Sequence, residues 1–312
     1  MLSKEFNIVS SNHIFSSVNN VDINVFVTTK KYSTLFSGHY AHMLILSIPR
    51  AVSKPKNKGD HIMSRDKISS VTDHRLVFIH GFLDNASLWK PLMSILTTAG
   101  YKCTAPDLPG AGARRSDLGP YTLDRATKDI VDHVGEDGTP VILIGHSMGA
   151  QIAELVTARL KNKVSALILL TPTPLEGNNL PDAVRSMLRE SGGDAPAQEG
   201  IRQAFSKNLS ADDLRNSTTT NVLMGKEAAR GYYDAFTGGD SAGFSTTTCE
   251  SPILIIGAEE DPVIAPEMVR KIHTQRFPSA QLRFIPNSGH WPHLEQPRTT
   301  ARLITVFLQT VS

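Results

Sequence analysis

The strongest chemical potential in this chain lies in a serine set between glycines, Gly145-His146-Ser147-Met148-Gly149, and a histidine in a late loop, Asn287-Ser-Gly-His290-Trp-Pro-His293. A serine hydroxyl is a weak nucleophile until a base takes its proton, and the base works only when a third group orients it. Ser147 is the candidate nucleophile, His290 the candidate base and Asp261 the candidate orienting acid. Asp261 sits in Gly257-Ala-Glu-Glu-Asp-Pro262 and completes the order Ser…Asp…His. Glu259 and Glu260 carry the same charge one and two residues away, and Glu260 is the alternative acid. His293 is the competing base.

Acyl transfer through such a serine also needs two backbone N–H groups aimed at the developing oxyanion. Met148, next after the nucleophile, offers one. Phe82 in His80-Gly81-Phe82-Leu83 offers the other, because Gly81 lets the main chain approach a substrate closely. His80 itself reads as a turn-stabilising side chain.

These groups meet only if they share one sheet edge. Four apolar runs each end in turn chemistry: Leu76 to Ile79, Val141 to Ile144, Ala166 to Leu170, and Ile253 to Ile256. A fifth stretch, Gln281 to Ile285, precedes the histidine loop. Continuous Val/Ile/Leu runs fit strands covered on both faces. Helical stretches follow at 87–99, 149–160 and 266–276, so strand and helix alternate as in a doubly wound, mostly parallel sheet. Such sheets bind ligands at the carboxyl ends of their strands, where every candidate residue falls. The expected organisation is an α/β core at 75–172 and 250–312, interrupted at 173–249 by a helical cap with pieces near 181–190, 198–208 and 221–236. Residues 1–74 form an N-terminal extension in which the alternating stretch 21–27 reads as one strand of a hairpin and 53–60 as a solvated linker, and residues 1–62 are expected to be dispensable for chemistry.

Composition narrows the function classes. The 312 residues carry a net charge of +2, which gives no footprint for nucleic acid. Met43 to Leu46 is among the longest purely apolar runs, far short of the roughly 20 residues that cross a bilayer. The first ten residues hold no continuous apolar region of a signal peptide, so cytoplasmic residence is the default. Cys103 and Cys249 alone neither define nor exclude a disulfide. Metal-ligand spacings and phosphate-cradling glycine loops are missing, so no cofactor is expected. Oligomeric state is not legible.

Together these segments resemble the α/β-hydrolase superfamily: the His80-Gly81-Phe82 loop, Asp107-Leu-Pro-Gly110-Ala-Gly112, the Gly145 to Gly149 elbow, the Gly257 to Pro262 acid loop and the Gly289-His290-Trp291 ending. The resemblance covers about residues 75–310. Two departures stand out: Arg114 replaces the serine usual after Asp107, and Gly257 to Asp261 is one residue longer than the common spacing. The resemblance implies a serine hydrolase acting on a small-molecule carboxylic ester or lactone through an acyl-enzyme. A carbon–carbon bond hydrolase, an acyltransferase or a ligand receptor with little turnover shares the same constellation. The chain is also similar to serine esterases of mobile resistance elements, which implies opening of macrolide lactone rings. Leu83, Trp89 and Trp291, with Phe82 and Met148, are expected to line the substrate pocket, and Arg114 and Arg115 its polar rim.

Overall fold

A computed structural model describes residues 15–18, 21–24, 74–135, 139–219 and 223–311. Contacts divide the chain into two units, Met1–Arg65 and Asp66–Ser312. In the first, β1 (Phe15–Val18) pairs antiparallel with β2 (Val21–Asn24). β2 covers the first four residues of the strand expected at 21–27. Residues 25–27 and the linker reading at 53–60 lie outside them.

The second unit is built on six strands: β3 (Arg75–Ile79), β4 (Lys102–Thr104), β5 (Val141–His146), β6 (Val164–Leu170), β7 (Ile253–Ala258) and β8 (Gln281–Ile285). Their order is β4-β3-β5-β6-β7-β8, and every neighbouring pair is parallel. Strand side chains point to alternate faces, and the two apolar clusters divide on that alternation. Val77, Ile79, Leu143, Leu167, Leu169 and Ile255 face one way, toward α2 (Leu123–Val134), α3 (Met148–Leu160) and α8 (Pro266–Arg276). Leu76, Phe78, Ile142, Ile144, Ile168 and Ile256 face α1 (Lys90–Thr98) and α10 (Pro297–Leu308). Covering both faces leaves no polar alternation in the strands, which is why they read as unbroken apolar runs.

Between β6 and β7 stand α4 (Asp182–Arg189), α5 (Ala195–Phe205), α6 (Ala211–Ser217) and α7 (Lys226–Gly238). The short α9 (Pro292–Glu295) follows the histidine loop. Three of the four inserted helices match the expected pieces, and α6 is additional. Sequence reading also passed over β4, only three residues long with its first exposed, and α2, whose many charged positions mask its apolar stripe. Cys103 and Cys249 are free thiols. No helix among the described residues is long and apolar enough to cross a membrane.

Chain order reverses once, where the path leaves β3 for β4 and then returns to β5. Strands diverge at such a reversal and open a crevice at their carboxyl ends. Phe82 follows β3 and Ser147 follows β5, one on each side of it.

Candidate active site

Ser147 occupies the turn between β5 and α3 with φ 53° and ψ −119°, a backbone conformation rarely open to a side-chain-bearing residue. Its N–H donates to Leu170 O (3.0 Å) and its carbonyl accepts from Thr173 N (3.3 Å), so the end of β6 and the loop after it hold the strained residue from both sides. The flanking glycines are dictated by space. A Cβ on Gly145 would lie 2.3 Å from Gly149 O, and one on Gly149 would lie 2.2 Å from Ile79 O. Since α3 begins at Met148, that N–H belongs to the first helical turn, whose donors have no partner within the helix.

His290 follows β8, and its ring bridges the other two candidates. Nε2 lies 3.0 Å from Ser147 Oγ, and Nδ1 lies 2.8 Å from Asp261 Oδ2. Asp261 Oδ1 accepts from the N–H groups of Val263 (2.8 Å) and Ile264 (3.0 Å), which fixes the carboxylate plane. With Nδ1–H donating to the carboxylate, Nε2 presents its lone pair to the serine hydroxyl. The electrostatics agree in sign. Burial alone would raise the Asp261 carboxyl, yet the His290 charge and the hydrogen bonds it accepts hold it below the usual carboxylate range. Burial alone would lower His290, yet the Asp261 charge and hydrogen bond lift it above its ordinary value.

The main chain of His290 is clamped as well. His290 N donates to Phe205 O (2.8 Å), and His290 O accepts from His146 Nε2 (2.7 Å) and Thr171 Oγ1 (3.1 Å). The buried Glu295 carboxylate accepts four backbone N–H groups: Gly289 (2.9 Å), Trp291 (3.1 Å), Lys207 (2.7 Å) and Asn208 (2.8 Å). It ties the base loop to the segment after α5.

The remaining candidates separate cleanly. Glu260 pairs with Lys207 Nζ at 2.7 Å on the surface, while Glu259 is exposed. The extra residue in the acid loop is taken up by Glu259 N and Glu260 N, which donate to Ile285 O and Ser288 O (both 3.0 Å) and run the acid loop alongside the base loop. His293 is buried and stacked on Trp89 with ring centroids 4.3 Å apart. His80 Nε2 accepts from Leu108 N (3.0 Å) and Nδ1–H donates to Gly81 O (2.9 Å), so it is a neutral clamp on its turn, with burial lowering its pKa.

An apolar cleft of about 520 Å³, its mouth to solvent included, reaches Ser147 and His290. Phe82, Leu83 and Trp291 line it, together with Leu180, Ile201 and Phe236. Three expectations need correction. Trp89 ends the 3-10 turn Ala86–Trp89 and packs downward between Phe78 and His293, fully buried in the core face beneath the site. The Met148 side chain enters the opposite core cluster, so this residue offers the site only its N–H. Arg114 is likewise drawn off the cleft by Asp117 and Asp129, both at 2.7 Å.

Sequence reading missed Thr173, whose Oγ1 stands 3.4 Å from Ser147 Oγ, and the buried Asp84. Trp291 Nε1 donates to Asp84 Oδ2 (3.1 Å), and His146 Nδ1 lies 3.3 Å from the same oxygen. Burial alone would raise the Asp84 carboxyl, but His146 and the Arg202 guanidinium hold it well below the usual carboxylate range. Its adjacency to the Phe82 loop was the one available signal.

Comparison with known proteins identifies the family and the fold. A model of the alpha/beta hydrolase family matches residues 76–303. An sn-1-specific diacylglycerol lipase of Danio rerio is 26% identical over 258 residues, 75% of this chain and 78% of the relative. A pyrethroid hydrolase of Sphingobium wenxiniae is 26% identical over 252 residues, 76% of this chain and 88% of the relative. Among solved structures, an esterase from Exiguobacterium antarcticum superposes with a TM-score of 0.66 at 20% identity, covering 76% of this chain and 92% of that one.

Proposed function

The chain belongs to the alpha/beta hydrolase family, and from that premise we propose that it hydrolyses carboxylic esters or lactones with Ser147 as nucleophile. The observation that carries this reading is the unbroken path from Asp261 through His290 to Ser147 Oγ, 2.8 and 3.0 Å long, ending at an apolar cleft. Ser147 Oγ attacks the carbonyl carbon while His290 Nε2 takes its proton. Asp261 keeps the imidazole in the required tautomer and stabilises its cation. The N–H groups of Met148 and Phe82 receive the oxyanion, in a site where preorganised donors are worth far more than in water. His290 then protonates the departing alkoxide, and water, activated by the same ring, releases the acid from Ser147.

Substrate class follows from the lining. Leu83, Leu180, Ile201, Phe236 and Trp291 favour an apolar acyl group. The relatives named above are a diacylglycerol lipase and a pyrethroid hydrolase, which supports an ester substrate. Helices α4 to α7 serve as the cap that admits or rejects substrates. Macrolide ring opening is a narrower member of this class and rests on the sequence resemblance.

A panel of aryl esters of increasing acyl length, run beside macrolide lactones, tests the reading. Turnover of at least one aryl ester by wild-type protein, ranked by chain length, supports an esterase. Turnover restricted to the macrolides would shift the substrate to the lactone class, and binding of esters without turnover would make the protein a receptor.

A further inference from the structure

Arg202, on the inserted helix α5, is almost fully buried, and it reaches from that helix to the loop after β3. Its Nη2 donates to Leu83 O and, at 3.2 Å, to Asp84 Oδ1, while Nη1 reaches Gln198 O within its own helix at 3.4 Å. Leu83 has a φ of 59°, a left-handed conformation costly for a branched side chain unless its surroundings impose it. It directly follows Phe82. Trp291, the neighbour of the base, donates to the same Asp84 carboxylate, and the Arg202 guanidinium lies 5.9 Å from the Trp291 ring centroid. One buried ion pair thus joins the insert, the Phe82 loop and the base loop.

We propose that Arg202 is a positioning residue that holds Leu83 in its left-handed conformation and thereby keeps the Phe82 N–H aimed at the oxyanion. This rests on the serine hydrolase reading above. Both bonds to the loop leave one nitrogen, Nη2, while Nη1 turns back to Gln198 O, so the planar guanidinium is held between α5 and the loop in a fixed orientation that an ammonium on a flexible stem does not keep as well. The insert then contributes to the chemical step as well as to substrate choice. With the fork gone, the loop relaxes, the donor drifts, and the loss falls on the transition state rather than on the bound ester.

Arg202→Met and Arg202→Lys, assayed with a reactive aryl ester and with phenylboronic acid as a tetrahedral mimic, test the proposal. In Arg202→Met, kcat should fall by about 10- to 100-fold with KM within about threefold, the range a misplaced oxyanion donor gives. Boronate affinity should fall in parallel, and the pH midpoint set by His290 should stay in place. Arg202→Lys should recover part of kcat. If the methionine variant does not fold, the lysine variant decides, with a loss in kcat of about 3- to 10-fold expected for a donor without the fork. Wild-type kcat in a folded variant, or a raised KM with kcat unchanged, overturns the proposal. Inactive wild-type protein would sink the hydrolase reading too, whereas active wild type with unimpaired variants sinks only this inference.

Discussion

Asp261 and His290 face each other across 2.8 Å, carboxylate Oδ2 to ring Nδ1, although the chain offers two other carboxylates immediately before the aspartate. Loop direction makes the selection. Backbone bonds from Glu259 and Glu260 to the base loop turn Asp261 inward, where Val263 and Ile264 N–H groups hold it, and leave Glu260 to Lys207 on the surface.

Asp261→Asn should therefore lower kcat by about 10⁴, because an amide stabilises the wrong imidazole tautomer. Glu260→Gln should stay within a few-fold of wild type. Steady-state ester hydrolysis by the two purified variants checks both; the opposite ranking would make Glu260 the acid.

The serine, the base and their strands were legible because their constraints are local. A strained turn demands glycines beside Ser147, and a doubly covered sheet demands apolar runs. The one-residue ambiguity at the acid was not legible, since it is settled by hydrogen bonds between loops 26 or more residues apart in sequence, such as Glu260 N to Ser288 O. Trp89 shows the same limit from the other side. Its position after the Phe82 loop matched a pocket residue, and only the turn at Ala86–Trp89 sends the ring into the core. Asp84, Arg202 and Glu295 escaped notice because a buried charge is recognisable only through its partners, which here lie far off in the chain.

The pH dependence has a definite sign. His290 must be unprotonated to accept the Ser147 proton, so activity is present above its pKa and lost below it. Burial alone would move that pKa down, but Asp261, Asp84 and Glu295 move it above the ordinary histidine value of 6.5. The acid limb of kcat/KM should have its midpoint above 6.5 in wild type. In Asp261→Asn, with the largest opposing charge gone, burial should bring the midpoint down, which a pH–rate profile on residual activity would record.

Glu295→Gln removes an anionic acceptor shared by four N–H groups on two loops. A glutamine offers one acceptor oxygen and places an NH₂ against N–H donors, so a loss of about 1–3 kcal/mol in stability is expected. Chemical denaturation measures it, and limited proteolysis should cut first near Lys207 and Asn208. Unchanged stability would mean that the two loops are held together by other contacts.

Removing residues 1–62 should leave ester hydrolysis within about twofold of the full chain, since the compact unit that carries the site runs from Asp66 to Ser312. Activity of the two purified forms tests this directly. Loss of folded protein on truncation would assign the segment a structural part in the catalytic unit.

The most direct test of the account is the intact mass of the protein after exposure to a fluorophosphonate, wild type beside Ser147→Ala. One covalent adduct on the wild type and none on a folded Ser147→Ala protein is the predicted result, because only a hydroxyl activated by His290 reacts at that rate. An adduct that persists in Ser147→Ala, or a folded wild-type protein that takes up no reagent, would contradict Ser147 as the nucleophile.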